Sequence, residues 1–308
     1  MNKLYLLTVI VTSFLVSLQA HAQLPPSENF YNINPYSINP AATGLYESFS
    51  GYLDYRDQWS GLKGAPESIR FGLHGIVSSA MGLGIKGAQT NTGVFKQTSV
   101  DLNYSYRIIL NKDRESLSFG LLLGFFQYKV NFDNMKLANE SDPAIYSSNT
   151  VNEAQVRTGF GVHYNLMDLN IHFAVPSLYS TVNGKFLQNI NSLATYDFYA
   201  GENIWRIQPA ILYRYDEVRK SQAEISITGE WENKVWAMAG YRTNKNIVTG
   251  IGINIKTIGI GYSYEINRSE LSTVASFSHE IILTFNTQMK LSKRGSLYRQ
   301  PGRRDPWN

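Results

Sequence analysis

Along most of this chain apolar and polar residues take turns. In Val100-Asp101-Leu102-Asn103-Tyr104-Ser105-Tyr106-Arg107-Ile108 every even position is apolar or aromatic and every odd one between them is polar. A repeat of two puts all the apolar side chains on one face of an extended backbone and makes no stripe on a helix. The same alternation runs through Ile69, Phe71 and Leu73, through Met81, Leu83 and Ile85, through Ala154, Val156, Thr158, Phe160 and Val162, and through Ile258, Ile260, Tyr262, Tyr264 and Ile266. About thirteen segments read this way: 48–57, 67–76, 79–89, 97–110, 115–130, 152–165, 169–176, 203–216, 221–232, 234–242, 247–256, 257–266 and 275–288. Several reach ten residues or more, against about 5–6 for an ordinary globular strand. Ten residues tilted at about 45° cross the hydrocarbon layer of a membrane. Tight connections such as Glu232-Asn233-Lys234 and Lys256-Thr257 predict hairpins. Beyond the first residues no stretch carries a helical period, so no helical crossovers are expected.

The first residues follow another rule. Lys3 precedes the apolar stretch from Leu4 to Leu18, which ends in Ala20-His21-Ala22 before Gln23. A charged start, a short apolar centre and a small-x-small exit predict a cleaved signal peptide over 1–22. The apolar centre falls short of the roughly 20 residues of a spanning helix. The rest divides into an N-terminal periplasmic segment (23–47), a strand-rich body (48–288) and a basic C-terminal tail (289–308). Periodicity alone leaves two architectures open: apolar faces turned out into lipid around a polar lumen, or turned in toward a shared sandwich core. Export, strand length and the lack of helices favour the first, an all-β, transmembrane, antiparallel up-and-down β-barrel in the outer membrane. Single-chain bacterial barrels have even strand numbers. The expectation is therefore about 14 strands, the missing one within Tyr179–Ile190 or before residue 48. The polar stretches 131–151 and 177–202 are expected to be cell-surface loops, since such barrels keep their periplasmic turns short.

Composition sharpens this picture. Tyr 20, Phe 15 and Trp 5 supply an aromatic girdle, and mean hydropathy is only −0.23. A net charge of +4 is too mild for a nucleic-acid partner, which calls for a concentrated basic face. With no cysteine there is no disulfide, no thiolate chemistry, no Cys-ligated metal and no lipoprotein anchor. His74, His163, His172 and His279 lie on separate strands without metal-like spacing. Gly82-Leu83-Gly84-Ile85-Lys86-Gly87 fits Gly-x-Gly-x-x-Gly, but it sits inside a period-2 strand with no helix after it, so it is not a dinucleotide fingerprint. No Gly-x-Ser-x-Gly elbow occurs. No catalytic, cofactor-binding or metal-binding residue is assigned, and the chain is read as a non-enzyme. On the polar faces stand Arg70, Lys86, Asp101, Arg107, Glu153, Arg157, Arg206, Arg214, Glu224, Arg242, Glu265 and Glu280. They come in both signs, so mutual pairing that closes the lumen is expected; a selective channel would gather one sign.

Two elements near the start of the body carry a resemblance. Asn39-Pro40-Ala41-Ala42-Thr43-Gly44 is followed by Tyr55-Arg56-Asp57-Gln58-Trp59-Ser60-Gly61-Leu62-Lys63-Gly64-Ala65-Pro66. The pair resembles the Asn-Pro-Ala-x-x-Gly and Tyr-Arg-x-Gln-Trp-x-Gly…Gly-Ala-Pro elements of the PorP/SprF family of Bacteroidetes outer-membrane proteins. The likeness continues through Met81–Gly84, Tyr104-x-Tyr106-Arg107 and Ser278–Ile281. It implies a barrel of the type IX secretion and gliding motility machinery that helps export, or retain at the surface, cargo proteins with a C-terminal secretion domain. Implied partners are that cargo, periplasmic ring and lipoprotein components, and the lipids of the outer membrane. Asn39, Pro40, Ala41, Gly44, Tyr55, Arg56, Gln58, Trp59, Gly61, Gly64 and Pro66 are the motif positions that the resemblance offers as partner contacts. One departure is the basic tail, with Lys293-Arg294 and Arg303-Arg304, where barrels usually end on an aromatic of the last strand; it is either a solvated end or a docking peptide for an acidic partner. The alternative reading of the whole is a passive porin or hydrophobic-solute transporter.

Overall fold

The computed structural model describes residues 28–45, 48–111, 115–130, 151–180, 186–201, 204–216, 220–268 and 277–288. The expected signal peptide over 1–22, the expected tail over 289–308 and the 131–150 connection lie outside them. The strands are β1 (Ser48–Asp57), β2 (Glu67–Ile76), β3 (Met81–Thr92), β4 (Phe95–Asn111), β5 (Glu115–Val130), β6 (Val151–Leu166), β7 (Leu169–Ser180), β8 (Phe186–Tyr196), β9 (Phe198–Ala200), β10 (Trp205–Asp216), β11 (Lys220–Trp231), β12 (Val235–Arg242), β13 (Ile247–Ile255), β14 (Ile258–Ile266) and β15 (Phe277–Gln288). Neighbours pair antiparallel, β1 pairs with β15, and β10 pairs with β11, so the sheet closes on itself. β8 and β9 both lie against β10 on either side of Asp197 and occupy one position, which makes a closed barrel of 14 strands.

The missing strand is β8, inside the stretch expected to be a surface loop. Its outward positions include Ser192 and Ala194, while Leu193 is buried inward at 2% exposure. Small residues outside and leucine inside reverse the pattern that marked the other strands. The expectation of a loop over 177–202 therefore does not hold.

Outward and inward faces differ sharply. Leu121, Leu123, Ile225 and Ile251 are all more than half exposed, whereas Arg56 and Glu280 are fully buried. A band of exposed Ile, Leu, Val and Phe around the whole wall is far larger than the apolar patches a soluble monomer tolerates. It is the surface a bilayer covers, and closure leaves the lipid no unpaired sheet edge. The apolar side chains face outward.

The two rims are unequal. One holds the entry to β1, the exit from β15 and the tight turns 77–80, 167–168, 232–234 and 256–257. The other holds the longer connections 58–66, 131–150 and 267–276. These are called the turn end and the loop end below. The wall is uneven too: β4 has 17 residues and β12 has 8, a difference of roughly 30 Å of backbone at about 3.3 Å per residue.

Candidate functional site

The lumen is occupied. Residues 28–45 form two single turns of 3-10 helix, Pro35–Ser37 and Pro40–Ala42, and run down the inside of the barrel from the loop end to the turn end. Each turn begins at an Asn-Pro pair, Asn34-Pro35 and Asn39-Pro40. Proline sets the backbone angle for the first position of such a turn. Asn39 caps the second turn by accepting from the Ala41 amide at 2.9 Å. This corrects the expectation of a periplasmic leader for this part of 23–47. The segment lacks a period because its contacts face the wall in every direction.

The wall supplies the donors and the space that the plug needs. Lys86 donates to the Ser37 carbonyl at 3.0 Å and Asn191 to that of Ile38 at 3.2 Å. Ser105 donates to Thr43 at 2.7 Å, and Arg107 reaches the carbonyls of Gly44 and Leu45 at 3.0 and 2.9 Å. Asn103 donates to the Tyr36 hydroxyl at 3.0 Å, and the Tyr31 hydroxyl donates to Glu224 at 2.8 Å. Three apolar clusters complete the packing: Phe30 with Trp236, Met238, Val248 and Ile282; Tyr31 and Ile38 with Leu193, Ala210 and Leu212; and, within the segment itself, Tyr36 with Ala42 and Leu45 against Tyr52 of the wall. Glycines make room at the closest approaches. A Cβ on Gly120 would collide with the Pro40–Ala41 backbone, and one on Gly161 with the Asn39 side chain. Gly44 turns the plug toward β1 at φ +66, a conformation that side-chain-bearing residues rarely adopt.

At the loop end the plug enters an ion-pair network. Arg56 bridges Glu265 at 2.6 Å and Glu280 at 2.7 Å. Arg70 joins Asp54 and reaches Glu280 at 2.9 Å, and Arg242 joins Glu224 and reaches Glu265 at 2.9 Å. The Asn29 amide donates to the Glu280 carboxylate, its side chain bonds Ser263 and Arg242, and the Glu28 carbonyl accepts from Arg214. Charges this deep are tolerated because each finds opposite charge and hydrogen bonds. Between Glu28, Phe30, Tyr52, Arg70 and Glu280 remains a space of about 10 Å³, room for about one water.

The remaining charges on the polar faces fall elsewhere. Arg157 pairs with Asp101 at 2.9 Å, and Arg206 with Glu230 at 2.7 Å. Glu153 is exposed near the loop end of β6. Asp54, Asp197 and Glu230 are partners that the reading of inward charges left out. His163 and His172 stack at 4.1 Å, with Asn39 at 3.3 Å from His172 Nδ1. Among the described residues no three His, Asp or Glu side chains gather as metal ligands.

The two motif elements part company. Asn39, Pro40, Ala41 and Gly44 belong to the plug. In the second element Tyr55 points out toward lipid and Arg56 into the network, while Gln58, Trp59, Gly61, Gly64 and Pro66 form the β1–β2 connection. That connection is closed by the Gln58 amide on the Pro66 carbonyl at 3.0 Å, and it leans on β15 through Trp59 and Ser278 at 3.0 Å. Beside it lies a cleft of about 490 Å³ bordered by Asp57, Leu62, Lys63, Glu67, Asn91 and Gly93.

Fold and lumen together define a membrane-spanning β-barrel of the outer-membrane type whose interior is occupied by its own N-terminal segment. Residues 19–285 match the family of type IX secretion system membrane proteins PorP/SprF. The chain belongs to that family. A comparison with curated proteins finds no match. Among solved structures, the monoaromatic hydrocarbon channel CymD is similar at 8% identity and a TM-score of 0.54, over 88% of this chain and 95% of that one. The outer membrane protein Omp33 of Acinetobacter baumannii is similar at 8% identity and a TM-score of 0.45, over 78% of this chain and 97% of that one. Such distant likeness speaks to the fold alone.

Proposed function

We propose that this protein is a sealed, non-enzymatic outer-membrane barrel that serves type IX secretion and gliding motility as a docking component. Its loop end faces the outside, following the rule of short periplasmic turns and longer surface loops. There it assists export or surface retention of cargo carrying a C-terminal secretion domain, and its turn end faces the periplasmic ring and lipoprotein components. The observation that carries this reading is the filled lumen: with residues 28–45 packed into the wall on hydrogen bonds, ion pairs and glycines, the working surfaces are the rims and not a pore. The β1–β2 connection, with Trp59 and exposed Leu62 beside its cleft, is the candidate contact for cargo, since binding residues concentrate on loops held by a rigid scaffold. Crosslinking in native membranes followed by recovery of the barrel tests it. Cargo with a C-terminal secretion domain is expected in the adduct, and its absence from the adducts of a functional, tagged barrel would contradict the reading.

A second reading, a passive channel for hydrophobic solutes, has the fold likeness to a hydrocarbon channel in its favour. Conductance in planar bilayers separates the two. The sealed barrel gives no stable open steps, and a channel does.

A further inference from the structure

We propose that the outer face of the tall wall, on β3 to β6, binds the phosphates of outer-leaflet glycolipid through Lys96 and Lys129. The inference rests on the reading that the loop end faces outside. The register of the ladder carries it. Val100, Phe125 and Val156 lie side by side and form the last apolar row of the outward face toward the loop end. The next outward row is Thr98, Gln127 and Ala154, and the one beyond it is Asn91, Lys96, Lys129 and Asn152. At about 3.3 Å per residue and a tilt of about 45°, the lysines stand roughly 9 Å above the apolar band, at the depth of headgroups.

Lys96 and Lys129 are direct cross-strand partners, and like charges so placed repel. Neither makes an ion pair among the described residues. Among the described residues of β3 to β6 neither outward row carries a carboxylate: Glu67, which continues the lysine row beyond Asn91, belongs to β2, and Glu153 on β6 belongs to the inward face. The neighbours are neutral hydrogen-bonding groups, with the Gln127 amide held on Asn152 at 2.9 Å. Two ammonium groups flanked by amides and a hydroxyl, just above an acyl-chain surface, form a surface for a lipid phosphate: the phosphate bridges the repelling charges while the chains lie along Val100 and Phe125.

The test uses the full-length barrel in phosphatidylcholine vesicles with and without diphosphoryl lipid A, counting the lipid A retained after extraction and chromatography. The wild type retains it, and Lys96→Gln/Lys129→Gln retains about tenfold less or below. Lys96→Glu loses retention as well, yet unfolds at a higher temperature than wild type in phosphatidylcholine alone, because an opposite-charge pair replaces a repelling one. Dephosphorylated lipid A is not retained, and inorganic phosphate alone leaves the unfolding temperature unchanged. Equal retention by the double variant, retention of the dephosphorylated lipid, or a thermal shift by inorganic phosphate as large as that of the lipid would overturn the proposal. No cargo enters the assay, so its outcome is separate from that of the secretion reading.

Discussion

The two ends of the plug are held by opposite means. At the loop end Glu28 and Asn29 join a network of buried arginines and carboxylates, where each charge is tolerable only while its partners stay in place. At the turn end Asn39–Leu45 pairs with no carboxylate among the described residues and is seated mainly by shape: glycines at 120 and 161 open the space, and Ser105 and Arg107 of the wall donate to its buried carbonyls. The difference teaches how an irregular segment is fixed inside a barrel without any secondary structure shared with it. Charge sets its place at one mouth, and steric fit fixes it at the other.

The comparison breaks most severely at the charged end. Glu280→Ala leaves Arg56 and Arg70 short of a carboxylate in a buried site, and a loss of about 3–5 kcal/mol is expected in detergent unfolding. Gly120→Leu attacks the packed end by overfilling it, at about 1–3 kcal/mol, and should lift Pro40–Ala41 enough to produce conductance steps absent in the wild type. Tyr31→Phe removes the hydroxyl that meets Glu224 and should cost about 1–3 kcal/mol, because the carboxylate then loses a buried donor. Asn39→Ala removes the cap of the second turn and the donor to the Val162 carbonyl, and about 1–2 kcal/mol is expected from thermal unfolding. A larger loss from Asn39→Ala than from Glu280→Ala would reverse the order of the two ends.

The barrel was largely legible because lipid imposes a strict period on the outward face: Val100, Leu102, Tyr104, Tyr106 and Ile108 all look out, as their alternation requires. The plug was not legible as such, since a segment that touches the wall on all sides has no period to read. Its signal lies instead in the wall, where the alternation fails. Val235-Trp236-Ala237-Met238, Ile211-Leu212-Tyr213 and Ile281-Ile282-Leu283 are apolar on both faces. Trp236, Met238, Leu212 and Ile282 are the inward residues that meet Phe30, Tyr31 and Ile38. Apolar side chains turned into a lumen require something to cover them. The same logic hid β8, whose leucine faces the plug and whose outward residues Ser192 and Ala194 interrupt the apolar face.

Seating of the N-terminal segment inside the wall is tested most directly by a disulfide, which the cysteine-free chain makes unambiguous. Asn32 and Ser226 meet at 2.8 Å, both buried. In Asn32→Cys/Ser226→Cys, oxidation of native membranes should produce an intramolecular cross-link in nearly all the folded barrel, seen as a shift in gel mobility that reductant reverses. Two free thiols that stay uncross-linked in folded barrel, and that a water-soluble maleimide labels freely, would place the segment outside the lumen and contradict the account.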